Sequence, residues 1–317
     1  MSIIETADSD THAPRKTLLL IHGHGLKPAQ DVLLRLWLDA LKQGLARDHP
    51  DMHLDEANVA LIYYADLTAA IAPTEKPYDP VIDAADRENT LARLAEFGSA
   101  KKFRRVHYES LPGKSSLKEF LMDIGAPVSN VLGLGQQRIA QVLPELVTYW
   151  DNEGNYGTQV RQRLHDALAP ALARGDDIMF ISHCIGSVFA YDVFCELNHS
   201  SQDAAASKVR NWVTLGTPLA DNYVRSRLGK AADSTAAAIY PNMLVNWFNI
   251  AAEDDFVCHD ETVANDFSAM LKNHVISRIE DFNIYNLAVR FGRSNPHNAI
   301  GYLIHPRMIK LLSDWLK

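Results

Sequence analysis

Residues 178–190 read Ile178-Met179-Phe180-Ile181-Ser182-His183-Cys184-Ile185-Gly186-Ser187-Val188-Phe189-Ala190. An apolar run meets small residues here, with a single thiol at the junction. Ile178 to Ile181 has the length and continuity of a strand covered on both faces. After a sharp corner centred on Cys184, a helix is expected from about Gly186 through Asp192 towards Leu197. Small residues stand two places before the cysteine, at Ser182, and two after it, at Gly186, as a strand and helix that nearly touch would need. The alternative is that Cys184 is a buried structural thiol, the commonest fate of a free cysteine.

Outside this stretch, strand-like and helix-like segments alternate. Thr17–Ile21 is a continuous apolar run ending in His22-Gly23-His24-Gly25. Pro28 to about Arg47 has helical periodicity through Leu33, Leu34, Trp37, Leu38 and Leu41, and Asn58–Tyr64 is a second strand. Strands resume at Val209–Leu215 and Met243–Ile250, with a weaker candidate at Ser277–Tyr285. Pro306–Leu316 closes the chain as a helix carrying Met308, Leu311, Leu312 and Trp315. This alternation predicts an α/β fold with a mostly parallel, doubly wound sheet. From Asp66 to about Arg174 the strand signal lapses, and helical patterns occur at Asn89–Phe97, Leu117–Ile124 and Val160–Leu168. About a hundred residues is too long for a plain connection. The expected organisation is therefore a disordered start (1–16), a core (17–65 and 176–317), and a helical cap insertion with a return helix (66–175).

With 317 residues the chain can bury a large core. Its 31 basic and 39 acidic residues, net −8, argue against a nucleic-acid or anionic-membrane partner. No apolar stretch reaches the roughly 18 residues of a membrane span, and Met1 to Lys16 lacks a hydrophobic signal core. A soluble cytoplasmic protein without a transmembrane segment is expected. Cys184, Cys195 and Cys258 are odd in number and lack metal-type spacing, so neither a disulfide framework nor a zinc site is indicated. No cofactor or metal is expected, and the oligomeric state stays open.

An activated nucleophile needs a base within hydrogen-bond reach and a third group to orient that base. Downstream of Cys184, the Met243–Ile250 strand runs into Ala251-Ala252-Glu253-Asp254-Asp255-Phe256-Val257, an acidic turn. Asn295-Pro296-His297-Asn298 lies in a polar loop just before Gly301-Tyr302-Leu303 and the final helix. A loop tip lets an imidazole be aimed across the strand ends. Among the 13 histidines His305 competes with His297, but it directly precedes Pro306 and reads as the helix start, while His259 follows the acid turn too closely.

These segments together resemble the α/β-hydrolase superfamily, and particularly bacterial lipase-like esterases. The resemblance rests on Ser182-His183-Cys184-Ile185-Gly186-Ser187 as a nucleophile elbow and on Leu215-Gly216-Thr217-Pro218-Leu219 after the following strand. The elbow normally reads G-x-S-x-G; a cysteine in the serine position looks like dienelactone hydrolases and polyester synthases, which use a Cys-His-Asp triad. The resemblance covers 17–65 and 176–317 and fades through 66–175. It implies Cys184 as nucleophile, His297 as base and Asp255 as orienting acid, with Asp254 as competitor because Phe256 replaces the usual proline. It further implies an oxyanion hole from the N–H groups of Ile185 and His24, with Gly23 letting the chain come close.

The expected activity is hydrolysis of a carboxylic ester or thioester, a small-molecule acyl substrate, through an acyl-enzyme on Cys184. The insertion's Leu91, Leu94, Phe97, Phe120, Leu121 and Val131 would then wall the acyl pocket, with Gly133 and Gly135 as a hinge. The same parts would also suit an acyltransferase, a serine hydrolase carrying a serine-to-cysteine exchange, or a catalytically silent binding module. A metalloenzyme using His22, His24 and the acid cluster is the remaining alternative.

Overall fold

The structure, a computed structural model, describes residues 14–25, 27–55, 57–71, 104–111, 135–200, 208–229, 240–253, 255, 257, 262–290 and 293–317. In chain order, β1 (Lys16–Ile21) leads to α1 (Gln30–Asp48), β2 (Asn58–Ile62) and α2 (Ala65–Ile71). Next come α3 (Arg105–Glu109), α4 (Gly135–Val142), α5 (Pro144–Asp151) and the long α6 (Tyr156–Ala173). β3 (Asp177–His183), α7 (Gly186–Ser200), β4 (Val209–Leu215), α8 (Asn222–Arg225) and β5 (Leu244–Ala252) follow. α9 (Val263–Asp266), α10 (Ser268–Lys272), β6 (Arg278–Ile284) and the hairpin β7 (Val289–Arg290) and β8 (Arg293–Ser294) precede α11 (Ala299–Leu303) and α12 (Pro306–Leu316).

The six long strands form one sheet in the order β2-β1-β3-β4-β5-β6, every pair parallel. Successive strand side chains point to opposite faces, and the two apolar layers follow from that. Leu19, Ile21, Ile178 and Phe180 face one layer with Val160, Leu164, Val188 and Phe189 of α6 and α7. Leu18, Leu20, Met179 and Ile181 face the other with Trp37, Leu41, Met308 and Leu312 of α1 and α12. Strands covered on both faces have no polar alternation, which is why they read as unbroken apolar runs. The order reverses between β1 and β3, and at such a switch point the loops leaving neighbouring strand ends part to form a crevice.

Several expected boundaries move. Of the start expected to be disordered, 1–16, residues 1–13 lie outside the described residues, while the Arg15 carbonyl accepts from the Asp177 N–H at 2.9 Å and Lys16 is the first residue of β1, paired with Asp177. Its ammonium lies over the Trp315 ring and bonds the Trp315 carbonyl, so a charged residue begins a buried strand without losing its partners. β2 stops at Ile62 rather than Tyr64 because the Tyr64 N–H donates to the His22 ring, 3.0 Å away, not to a neighbouring strand. The weak candidate at 277–285 is a full strand, β6, and the β7–β8 hairpin has no counterpart in the sequence reading.

Between 66 and 175 the described residues hold helices and no strand. α6 packs on the sheet as the return helix, while two other parts reach loops at the strands' carboxyl ends. Glu145 at the start of α5 accepts a 2.8 Å bond from the Gly25 N–H, and the Tyr108 hydroxyl donates to the Glu253 carbonyl at 3.0 Å. Leu91, Leu94, Phe97, Phe120, Leu121, Val131 and Gly133, the expected pocket and hinge positions, lie outside the described residues, as do the helical patterns at 89–97 and 117–124. Gly135 begins α4. Among the described residues no helix is long and apolar enough to cross a membrane.

Candidate active site

Cys184 sits at the corner between β3 and α7 with φ of 55°, in the left-handed region that a non-glycine residue seldom enters. The corner is held on both sides. The Cys184 N–H donates to the Leu215 carbonyl at 3.0 Å, and the Ser187 N–H donates to the Cys184 carbonyl at 3.0 Å. A Cβ on Gly186 would lie 2.4 Å from the His22 carbonyl oxygen, and one on Gly23 would lie 2.6 Å from Cys184 Cβ. Neither place has room for a side chain, so both take glycine. Ser182, the small residue before the corner, is fixed by polar contacts as well. Its hydroxyl accepts from Trp212 Nε1 and shares a bond with the Ser187 hydroxyl, each at 2.9 Å.

The side chains of Cys184, His297 and Asp255 converge at the carboxyl ends of β3 and β5. His297 Nδ1 lies 2.9 and 2.8 Å from the two Asp255 oxygens. Asp255 also accepts a 2.6 Å bond from the Tyr302 hydroxyl and a 3.1 Å bond from the Val257 N–H. With Nδ1 occupied, His297 turns its Nε2 edge to the thiol; Nε2 is buried and has no hydrogen-bond partner. The His297 loop is pinned through its backbone. His183 Nε2 donates to the His297 carbonyl at 2.9 Å, and Asn286 Nδ2 donates to the carbonyls of Pro296 and Asn298 at 2.8 and 3.0 Å.

His24 lies on the other side of the sulfur, its Nδ1 3.3 Å from Cys184 Sγ. For the peptide N–H groups of His24 and Ile185, the structure records no acceptor among the described residues. Unpaired N–H groups are rare in protein interiors, and a pair of them beside a nucleophile is what an oxyanion hole requires.

The charges are mutually supporting. Burial alone would push the Cys184 thiol up, but His297 and then His24 outweigh it and bring the thiol down to about 5. Burial would lower His297, yet Asp255 and Cys184 raise it to about 10. Asp255 stays below the usual carboxylate range despite burial because His297, Tyr302 and the Val257 N–H all favour its charged form. The thiol and the imidazole thus each favour the other's charged form. His183, by contrast, is held well below its ordinary value by burial and by the neighbouring His297 charge, so it remains a neutral donor.

Of the competing residues, His305 caps α12, its Nδ1 accepting from the Arg307 N–H at 3.1 Å. Asp254, Cys258 and His259 lie outside the described residues. The pairing of His22 with His24 as metal donors is overturned. His22 Nδ1 donates to the Gly23 carbonyl at 2.8 Å and Nε2 accepts from the Tyr64 N–H, and burial with the Lys27 charge holds the ring neutral, with a pKa of about 3. Asp255 of the acid cluster is likewise committed to His297.

Sequence reasoning missed five participants: the His24 imidazole, His183, Tyr302, Asn286 and Glu145. Only Tyr302 carried a signal, since a hydroxyl just past the candidate base can fold back on the acid turn. It donates to Asp255 and accepts from the Ala252 N–H at 3.0 Å, fixing the turn to α11. Tyr302→Phe is expected to cost about 1–3 kcal/mol, since it leaves two buried groups short of a partner. Urea denaturation measures this, and the low-pH limb of Cys184 reactivity should move upward as Asp255 holds His297 less firmly. Comparison of the chain with protein-family models, with curated proteins and with solved structures finds no match, so the functional reading stands on this geometry.

Proposed function

We propose that this chain is a cysteine hydrolase of the α/β-hydrolase type that cleaves carboxylic esters or thioesters. The observation that carries the proposal is the run Asp255–His297–Cys184, with the thiol on a left-handed corner at the end of β3. The chain order supports it as well, because the nucleophile, acid and histidine follow β3, β5 and the β7–β8 hairpin in turn, and the His24 loop follows β1.

In this mechanism the Cys184 thiolate attacks the acyl carbonyl, and the negative charge on oxygen is received by the N–H groups of His24 and Ile185. The tetrahedral intermediate collapses as the imidazolium of His297 gives its proton to the departing alkoxide or thiolate. An acyl thioester on Cys184 and a neutral imidazole remain. His297 then takes a proton from water, hydroxide adds to the thioester, and collapse releases the carboxylic acid with the thiolate and imidazolium restored. Asp255 keeps Nδ1 protonated throughout, so that Nε2 is the atom that exchanges protons. A thiolate formed at rest suits substrates with good leaving groups better than amides, whose nitrogen must be protonated on departure.

Intact-mass measurement after exposure to a panel of activated esters and thioesters tests the reading. The expected result is a single added acyl mass that maps to Cys184 and is absent in Cys184→Ala. An adduct elsewhere, or none with any member of the panel, overturns it.

A further inference from the structure

Cys184, His24 and His297 offer one sulfur and two nitrogen atoms that all lie within 4.8 Å of one another. We propose that His24 Nδ1, Cys184 Sγ and His297 Nε2 form a three-donor site for a borderline-soft divalent cation of the zinc class. Thiolate and imidazole together select such ions over magnesium or calcium, which take oxygen ligands.

The geometry is close to what tetrahedral coordination asks. Metal–nitrogen and metal–sulfur bonds of about 2.0–2.3 Å place neighbouring donors roughly 3.3–3.8 Å apart. His24 Nδ1 and Cys184 Sγ are 3.3 Å apart, and no two of the three donors are more than 4.8 Å apart. His297 Nε2 is the buried ring nitrogen that has no hydrogen-bond partner, and it faces the sulfur. Its other nitrogen is bonded to Asp255 at 2.8 Å, which is the carboxylate–histidine arrangement that fixes the tautomer and raises the basicity of a metal-binding imidazole. Tyr302 in turn steadies that carboxylate. Glu145 stands close to the site, its carboxyl buried and its Oε2 without a partner.

Three protein donors leave a fourth position for water or a ligand. Binding displaces any proton carried by the Cys184 sulfur or by His297 Nε2, and no oxidant or reductant takes part. The cation uses the same sulfur that the hydrolase reading assigns to attack, so the two would exclude each other. The binding claim itself asks only for the donors and does not rest on that reading.

Cobalt(II) titration of the chelator-stripped full chain tests it, because a thiolate bound to Co2+ gives a charge-transfer absorption that nitrogen and oxygen ligands do not. The expected result is a 1:1 band that Zn2+ abolishes, with alkylation of Cys184 suppressed by Zn2+ and restored by chelator. Asp255→Asn should weaken binding by about 10–100-fold, as loss of an outer carboxylate does, and His24→Ala by at least as much. Cys195→Ser, remote in α7, should leave it unchanged. Circular dichroism checks that each variant is folded, and His24→Gln replaces His24→Ala if the latter is not. A wild-type spectrum without the band, a His24 variant that binds as tightly as wild type, or undiminished alkylation under saturating Zn2+ overturns the proposal. The acyl-adduct experiment on the metal-free chain fails or succeeds separately.

Discussion

His297→Ala lowers acyl turnover by roughly 10²–10⁴-fold, the usual worth of a positioned general acid and base. The imidazole has two separate duties in the proposed cycle, giving a proton to the leaving group and taking one from water, and among the described residues no second imidazole is oriented by a carboxylate in its place. His24 touches the sulfur but has no hydrogen bond to Asp255. The fold should survive the substitution. The loop is pinned through the carbonyls of Pro296, His297 and Asn298, which alanine leaves intact. Asp255 loses its positive partner but keeps the Tyr302 hydroxyl and the Val257 N–H, so the stability cost should fall short of the roughly 3–5 kcal/mol for removing one member of a buried ion pair. Steady-state kinetics on an ester that yields the Cys184 adduct, beside near-ultraviolet circular dichroism, measures both. A folded His297→Ala protein within about tenfold of wild type would remove His297 from the mechanism.

The rate of Cys184 alkylation by iodoacetamide should be nearly level from about pH 6 to 9 and fall only as the pH drops through about 5. An ordinary cysteine, with a pKa of about 8.5, instead gains tenfold per pH unit until that value is reached. At pH 6 the ionised fractions differ by roughly 300-fold in favour of Cys184. A weaker thiolate is also a poorer nucleophile, which returns roughly 25–60-fold of that advantage. The shape of the profile is therefore more decisive than its height, and burial of the sulfur scales the whole curve without moving its midpoint. Cys195 should stay unlabelled across the range, because burial holds its thiol above the ordinary value. The same shift has a sign for stability. A folded thiol depressed to about 5 contributes stability that is complete above the unfolded value near 8.5 and is lost as the pH falls towards 5. His297, raised to about 10, contributes stability that is complete below about 6.5 and is lost as the pH rises towards 10. In His297→Ala the alkylation midpoint should move upward; an unchanged midpoint would mean that the imidazole does not hold the thiolate.

The corner at Cys184 was legible because its signals are local and dense: an apolar run, a thiol, and small residues at fixed offsets where β3 and α7 meet. The convergence of Asp255 and His297 on that corner could be expected only through the resemblance to the α/β-hydrolases, which implies the chain order nucleophile, acid, histidine. The strands' centres were plain and their ends were not. Lys16 and Tyr64 each follow a long-range partner, Trp315 in one case and His22 in the other, that periodicity does not encode. The imidazole of His24 illustrates the remaining gap. The resemblance implied its peptide N–H beside Cys184, but where its ring points depends on the fold around it. Glu145 and Asn286 act across 120 and 10 residues respectively, through single hydrogen bonds that leave no repeating pattern in the chain.

The interior position of β1 bears on how the chain assembles. β1 can meet β2 soon after both are made, but its other edge is completed only by β3, Lys16 waiting for Asp177. During synthesis Leu18, Leu19, Leu20 and Ile21 therefore present an open apolar strand edge until the whole of 66–175 has emerged, and such an edge invites pairing with another chain. The finished sheet is further fastened late, when Trp315 of α12 donates to Asp177 at 3.0 Å and its carbonyl receives Lys16. Pairings of such long range make folding slow, and this edge of β1 stays open from the making of Ile21 until Asp177 and the rest of β3 have followed.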